Sequence, residues 1–319
     1  MIAYLLRRVP SAVAVLFAAS VLIFLLLRLV PGDPATTLAG PDATPETIAA
    51  IRHQLGLDRS IPAQYLSWLK GVFTGDLGRS YIIGGQISDL VGRGLTNTLV
   101  LAGSALVLAV AVSLAVSVSS VLWRKRWLDA LVAAANTVAV AVPAFVTGVL
   151  LVLVFAIAIP ILPAGGIPPD GFLARPDITV QYLLLPAICL ALPVTAALTR
   201  FLTESLRTEL RKPYVLTARA LGVSHRQIVT RGALRNALPT MLTVLGIQTG
   251  QLLGGAVLVE AAFAWPGIGQ LIEQGINRRD YPVVQALLLF SVAVFVAIQL
   301  ITDVVHAYLD PRIRIGGRS

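Results

Sequence analysis

RFLTESLRTELRKPYVLTARALGVSHRQIVTRGALR, residues 200–235, is a basic, soluble-looking insert between two apolar runs, Ile178 to Thr199 and Asn236 to Val259. Each run is long enough to cross a bilayer as a helix, which takes about 20 apolar residues. The insert therefore reads as a loop joining two spans. Pro213 suits the first turn of a short helix through Tyr214, Leu216, Thr217, Ala218 and Ala220, and Gly222 can take the left-handed conformation that stops it. Ser224 then caps a second helix through Ile228, Val229 and Leu234 toward Leu238-Pro239. Small side chains at Ala218 and Ala220, with none at Gly222, allow a partner to come close, and the arginines supply contacts to acidic groups. A basic loop resting on anionic lipid heads is the plainer alternative.

Working outward, the chain is 56% hydrophobic and 13% charged over 319 residues, far from the balance of a soluble domain. Further uncharged stretches lie at Val9 to Leu27, Gly94 to Trp123, Ala130 to Pro169 and Tyr281 to Thr302. The third is long, but Pro160, Pro163, Gly165, Gly166, Pro168 and Pro169 turn its end into a loop. One helix over Ala130 to Ile159 is the economical reading, giving six spans in an all-α, polytopic membrane protein.

Lys and Arg in short loops are retained on the cytoplasmic side. Arg7 and Arg8 precede the first span, and Arg124, Lys125 and Arg126 separate the second and third. Arg200, Arg207, Arg211, Lys212, Arg219, Arg226, Arg231 and Arg235 separate the fourth and fifth, and Arg312, Arg314 and Arg318 follow the sixth. The opposite loops carry Arg28, Arg52, Arg59, Lys70, Arg79 and Arg93, then Arg175, then Arg278 and Arg279. The first of these loops is long, so its charges weigh less. Both termini are expected in the cytoplasm. The net charge of +9 follows this topology, and no nucleic-acid role is expected. The apolar run after Arg8 exceeds the roughly 7 to 15 residues of a signal-peptide core, so an uncleaved first span is favoured.

The segment from Pro31 to Leu95 is the largest extracytoplasmic piece. Thr44-Pro45-Glu46 places a cap, a first-turn proline and an acid before Ile48, Ile51 and Leu55, and Gly56 ends that helix. A second amphipathic helix starts at Pro62, with Tyr65, Leu66, Leu69 and Phe73 at helical spacing. Both helices are expected on the outer membrane face or packed on the spans.

None of Lys70, Lys125 and Lys212 follows a glycine, so no phosphate loop is present for ATP. His53, His225 and His306 are scattered, and neither a His-Glu-x-x-His string nor a Gly-x-Ser-x-Gly elbow occurs. Cys189 stands alone inside the fourth span and reads as packing; no metal site is expected. Ion-coupled carriers use ionisable groups in mid-membrane. Here Asp129, Glu204, Glu260 and Asp303 sit at or beyond the ends of the spans. The fifth span carries Gln248, Thr249 and Gln251, and polar groups in a membrane helix face a pathway or bond to a neighbouring helix. Gln248 and Gln251 are the candidate pathway residues.

Several stretches together resemble the B-type permease subunit of dipeptide, oligopeptide and nickel ABC importers. They are Arg28-Leu29-Val30-Pro31-Gly32-Asp33-Pro34, Leu55-Gly56-Leu57-Asp58, Gly75-Asp76-Leu77-Gly78-Arg79-Ser80, Tyr214 to Gly222, Arg235-Asn236-Ala237-Leu238, Phe263-Ala264-Trp265-Pro266-Gly267-Ile268-Gly269 and Asp310-Pro311-Arg312. The resemblance covers nearly the whole chain. It implies one transmembrane permease domain over residues 1–319, with an extracytoplasmic loop at 31–95 and a cytoplasmic EAA-type coupling loop at 200–238. In that loop a Glu-Ala-Ala string and a glycine form a helix that docks in a groove of the ATPase. The matching positions here are Leu216, Thr217 and Ala218, then Gly222. The acid is absent, which leaves Arg219, with Ala220 beside it, as the candidate polar contact.

The resemblance implies a transport subunit rather than an enzyme. It would form half of a pathway for di- or oligopeptides or similar small solutes, paired with a homologous second permease. Two ATPase subunits or domains would hold ATP and Mg, an extracytoplasmic binding protein would deliver solute, and membrane lipid would surround the spans. No cofactor is expected in this chain. The rival is a self-contained channel or secondary carrier. Orientation is testable directly: a C-terminal green fluorescent protein fusion should fluoresce and an alkaline phosphatase fusion should be inactive, and the opposite pair of results would invert the topology.

Overall fold

A computed structural model of the chain describes residues 2–29, 33–40, 42–80, 82–169, 171–172 and 174–309. Val30, Pro31, Gly32, Asp310, Pro311, Arg312, Arg314 and Arg318 lie outside the described residues, as do the side chains of Arg7 and Asp303. Twelve helices are present among the described residues, and no strand beyond an isolated bridge between Arg79 and Gln86. They are α1 (Ile2–Leu29), α2 (Pro34–Ala39), α3 (Pro45–Gln54), α4 (Ile61–Thr74), α5 (Ile87–Trp123), α6 (Arg126–Ala141), α7 (Ala144–Ala158), α8 (Pro176–Glu209), α9 (Pro213–Ala220), α10 (His225–Ala262), α11 (Ile268–Asn277) and α12 (Tyr281–Leu309). Without water, every backbone N–H and C=O in a bilayer must be satisfied within its own helix. Five helices, α1, α5, α8, α10 and α12, are long and apolar enough to cross, and the bent pair α6 and α7 makes a sixth if counted as one span.

That pair corrects the expectation of one helix over Ala130 to Ile159. The two segments meet at 105°. Pro143 is the cause: it has no N–H to continue the ladder, and the residue before a proline is pushed to extended backbone, as Val142 shows with ψ 123°. The basic insert also differs from its sequence reading. Helix α8 continues to Glu209 and α10 starts at His225, so only residues 210–224 leave the two long helices. Amphipathicity carries α8 past its first charge: Leu198, Leu202 and Leu206 repeat every fourth residue and are buried, while Arg200 and Glu204 are exposed on the other side.

The chain divides into two compact units. One holds residues 99–265 and the end of α12. Its core is the pairing of α8 with α10, joined by α5 and α7. Ala102, Ala105 and Ala109 of α5, Ala187 and Ala191 of α8, and Ala237 and Ala256 of α10 are all buried; small side chains let backbones approach where lipid gives no hydrophobic drive. Cys189 is buried there and donates its thiol to the Ala144 carbonyl at 3.0 Å. The turn after α10 is held by the 165–166 loop: Gly166 N–H donates to the Phe263 carbonyl at 2.8 Å. Phe172 stacks on the fully buried Trp265 with ring centroids 5.7 Å apart.

The other unit holds residues 2–98 and 266–297. Its buried centre is Asp280, which accepts from Ser80 Oγ at 2.5 Å, Ile82 N–H at 3.0 Å and Ile83 N–H at 3.3 Å. Three small helices cap it. Thr44 caps α3 by accepting from the Thr47 N–H at 3.3 Å, and Gly56 follows the helix end with φ +65°. Asp33-Pro34 repeats that signal and starts α2, which the sequence analysis had not separated; Asp33 accepts from the Ala35 N–H at 2.9 Å. Asp33 also pairs with Arg52. Burial opposes ionisation of Asp33, but the hydrogen bonds of Arg52 and the Ala35 N–H and the charge of Arg52 outweigh it and hold the carboxyl below its usual value. Helix α4 packs on α1 through Tyr65 and Trp68, the former edge-on to Phe24 at 5.4 Å and bonded to Ser20 at 2.8 Å. Its inner face is therefore Tyr65, Trp68 and Leu69, while Leu66 and Phe73 stand exposed, against the expected alignment of all four apolar positions.

A β-carbon at Gly165 would lie 2.1 Å from the Phe263 carbonyl oxygen, whereas one at Gly92 would meet nothing within 4 Å. Gly165→Ala should lower the thermal stability of the detergent-purified chain by about 1–3 kcal/mol. Gly92→Ala should leave it unchanged or raise it by about 0.5–1 kcal/mol. Equal behaviour of the two variants would contradict this packing.

Candidate functional site

Glu209, buried at the last turn of α8, organises the projection that follows. Lys212 Nζ donates to one carboxylate oxygen and Tyr214 Oη to the other, the latter at 3.4 Å. The Arg211 and Lys212 N–H groups close back on the Thr208 and Glu209 carbonyls at 3.2 and 3.1 Å, and Pro213 opens α9 at a position that has no use for an N–H. Val215 is the inward anchor, 1% exposed. The helix stops in a Schellman arrangement: Val223 N–H donates to the Ala218 carbonyl and Gly222 N–H to the Arg219 carbonyl, both at 3.0 Å. That closure needs Gly222 at φ +77°, a region other residues enter only with strain. Ser224 then accepts from the Gln227 N–H at 3.4 Å to start α10.

The sequence-predicted coupling residues sit together on this projection. Leu216, Thr217, Arg219, Ala220 and Gly222 are exposed and Ala218 is half-buried. Leu216 and Leu221 are 67% and 78% exposed. Exposed apolar side chains therefore stand beside the exposed Arg219. Arg219 makes no ion pair or side-chain hydrogen bond among the described residues.

A cavity of about 1040 Å³ lies among α6, α8 and α10 of the same unit. Both Gln248 and Gln251 line it, facing Asn136 and Thr137 of α6. Thr249 does not: its hydroxyl bonds back to the Leu245 carbonyl at 2.8 Å. At the cavity rim Arg207 pairs with Asp129 at 2.8 Å, and Ser120 donates to the other Asp129 oxygen at 2.5 Å. Arg200 and Glu204, one helical turn apart, also line the cavity. Asn136 and Thr137 are cavity residues outside the sequence-predicted set, although two polar residues inside an apolar run are an available signal. Arg200, Glu204 and Arg207 belong to α8 and not to a loop, because the helix runs on to Glu209.

Two family models divide the chain between them. Residues 108–315 match the binding-protein-dependent transport system inner membrane component, and residues 1–100 match the N-terminal part of the same kind of membrane component. The chain belongs to the binding-protein-dependent transport system inner membrane components. Relatives of this family include the glutathione transport system permease protein GsiC of Salmonella typhimurium, 36% identical over 315 residues, and that of Escherichia coli strain K12, 37% identical over the same length. Both alignments cover 98% of this chain and 99% of the relative. As an inner membrane component of this family, the chain is a multi-pass transmembrane permease subunit of an ABC importer, a class that works with a partner permease, ATPases and a binding protein. This displaces the self-contained channel or carrier as the rival reading.

Proposed function

We propose that this permease forms half of the transport pathway for di- or oligopeptides or similar small solutes, and that the projection at Leu216 to Gly222 is the element through which ATP hydrolysis on separate subunits moves it. The observation that carries this reading is connectivity. The projection is the bend between α8 and α10, and those two helices are also walls of the cavity that Gln248 and Gln251 line. A push on the bend is therefore a push on the cavity wall. ATP-driven closure of two ATPase subunits or domains, which would hold the ATP and Mg, would be carried as rigid-body movement of the two helices. Leu216, Thr217, Ala218, Arg219, Ala220 and Gly222 make the docking surface, and Gln248 and Gln251 face the solute.

The whole chain then acts as one permease domain with both termini in the cytoplasm, the 31–95 loop outside and the 200–238 loop inside. A homologous permease would complete the pathway and an extracytoplasmic binding protein would deliver solute. The relatives named for glutathione transport favour a small peptide-like solute, so tripeptides are the first class to assay.

Gly222→Asp would force a charged side chain into a left-handed position on the docking surface. Uptake by the assembled importer should fall about tenfold or more at unchanged membrane abundance; normal uptake at normal abundance would count against the docking role. The double change Gln248→Ala and Gln251→Ala should weaken solute uptake while leaving assembly intact. Unchanged transport would reduce both residues to hydrogen bonds between helices.

A further inference from the structure

A second cavity, of about 700 Å³, lies in the unit built from residues 2–98 and 266–297. Four guanidinium groups border it, those of Arg28, Arg52, Arg59 and Arg79, against two carboxylates, those of Asp33 and Asp76. Asp33 is taken by Arg52, and Asp76 accepts the Gly78 N–H at 3.2 Å. Arg59 and Arg79 make no ion pair and no side-chain hydrogen bond among the described residues.

Both are presented from braced backbone. Gln64 donates to the Arg59 and Leu57 carbonyls at 2.7 and 3.3 Å and accepts from Arg28. Arg79 is bridged to Gln86, and its neighbour Ser80 is tied to the buried Asp280. Tyr281 also lines the cavity, with its hydroxyl buried and unpartnered among the described residues.

Guanidinium groups sharing one concave site repel each other and focus a positive potential into it. A carboxylate relieves that repulsion and matches the forked donors of arginine. We infer that this cavity is a receiving site for a small carboxylate-bearing, peptide-like solute, held by Arg59 and Arg79 before it enters the pathway. The volume is that of a small-molecule site, and its lining is more polar than apolar, which suits a soluble anion better than a lipid chain. The inference rests on the orientation and solute class proposed above, which put the 31–95 loop that builds most of this cavity on the outer side, and it adds a preference for acidic solutes.

The test uses the importer purified with its copurifying subunits and two peptides, Ala-Glu-Ala with free carboxylates and its carboxylate-free counterpart Ala-Gln-Ala amide. Calorimetric titration reads binding and proteoliposome uptake reads transport. The acidic peptide should bind about tenfold more tightly than the amide, and Arg59→Gln or Arg79→Gln should each remove most of that difference, with amide binding unchanged. Arg59→Lys should restore part of it. Equal binding of the two peptides by the unaltered importer, or variants that weaken both peptides alike, overturns the inference. Variants that alter only the dependence of activity on anionic vesicle lipid, with peptide discrimination intact, assign the cavity to lipid headgroups and overturn it as well. Failure of uptake for every peptide defeats the proposed solute class, while titration still reports on Arg59 and Arg79.

Discussion

A buried carboxylate at the end of one membrane helix sets the geometry on which the candidate site depends. Glu209 collects Lys212 and Tyr214, and with Val215 it pins α9 to the helix that precedes it. Burying a valine side chain contributes about 1.5–3 kcal/mol, while the Glu209–Lys212 pair, with its lysine half exposed, adds no more than about 1 kcal/mol. The Schellman closure at Gly222 completes the hold from the other end. A projection fixed at both ends transmits displacement, whereas a loose basic loop would absorb it. The proposed coupling helix, which has Leu216 where the usual acid would stand, is thus held at both ends.

The two cavities differ in charge, and the difference follows from the elements that build them. Along α8, Arg200, Glu204 and Arg207 share the wall with Asp129 of α6, so positive and negative groups balance. In the N-terminal unit the lining carries four arginines against two aspartates, so cations outnumber acids.

Much of the fold was legible from the sequence. Uncharged runs located the spans because a bilayer leaves the backbone no alternative to helix, and Thr44-Pro45, Pro213, Gly222 and Ser224 marked helix ends by capping chemistry that acts locally. The break at Pro143 was not read, although Pro186, Pro193 and Pro239 lie inside continuous helices; whether a proline bends or breaks a span depends on packing that no local signal records. Charge density marks the end of α8 too early, because the leucine repeat at Leu198, Leu202 and Leu206 carries the helix on, and the helix capped by Ser224 runs unbroken into the fifth span. Gln248 and Gln251, polar residues that stand out in an apolar run, line the cavity among α6, α8 and α10. The cavity of arginines is not legible in the sequence, because its lining comes from six separate stretches that only the folded chain assembles.

The central claim is that this chain moves solute only when a separate ATP-hydrolysing partner acts on the projection between α8 and α10. The most direct measurement is solute flux into proteoliposomes holding the purified chain alone, compared with liposomes holding it together with its partner permease, ATPases and binding protein. The account predicts no flux above empty liposomes for the chain alone and ATP-dependent flux for the full assembly. Sustained flux through the isolated chain without ATP would contradict it.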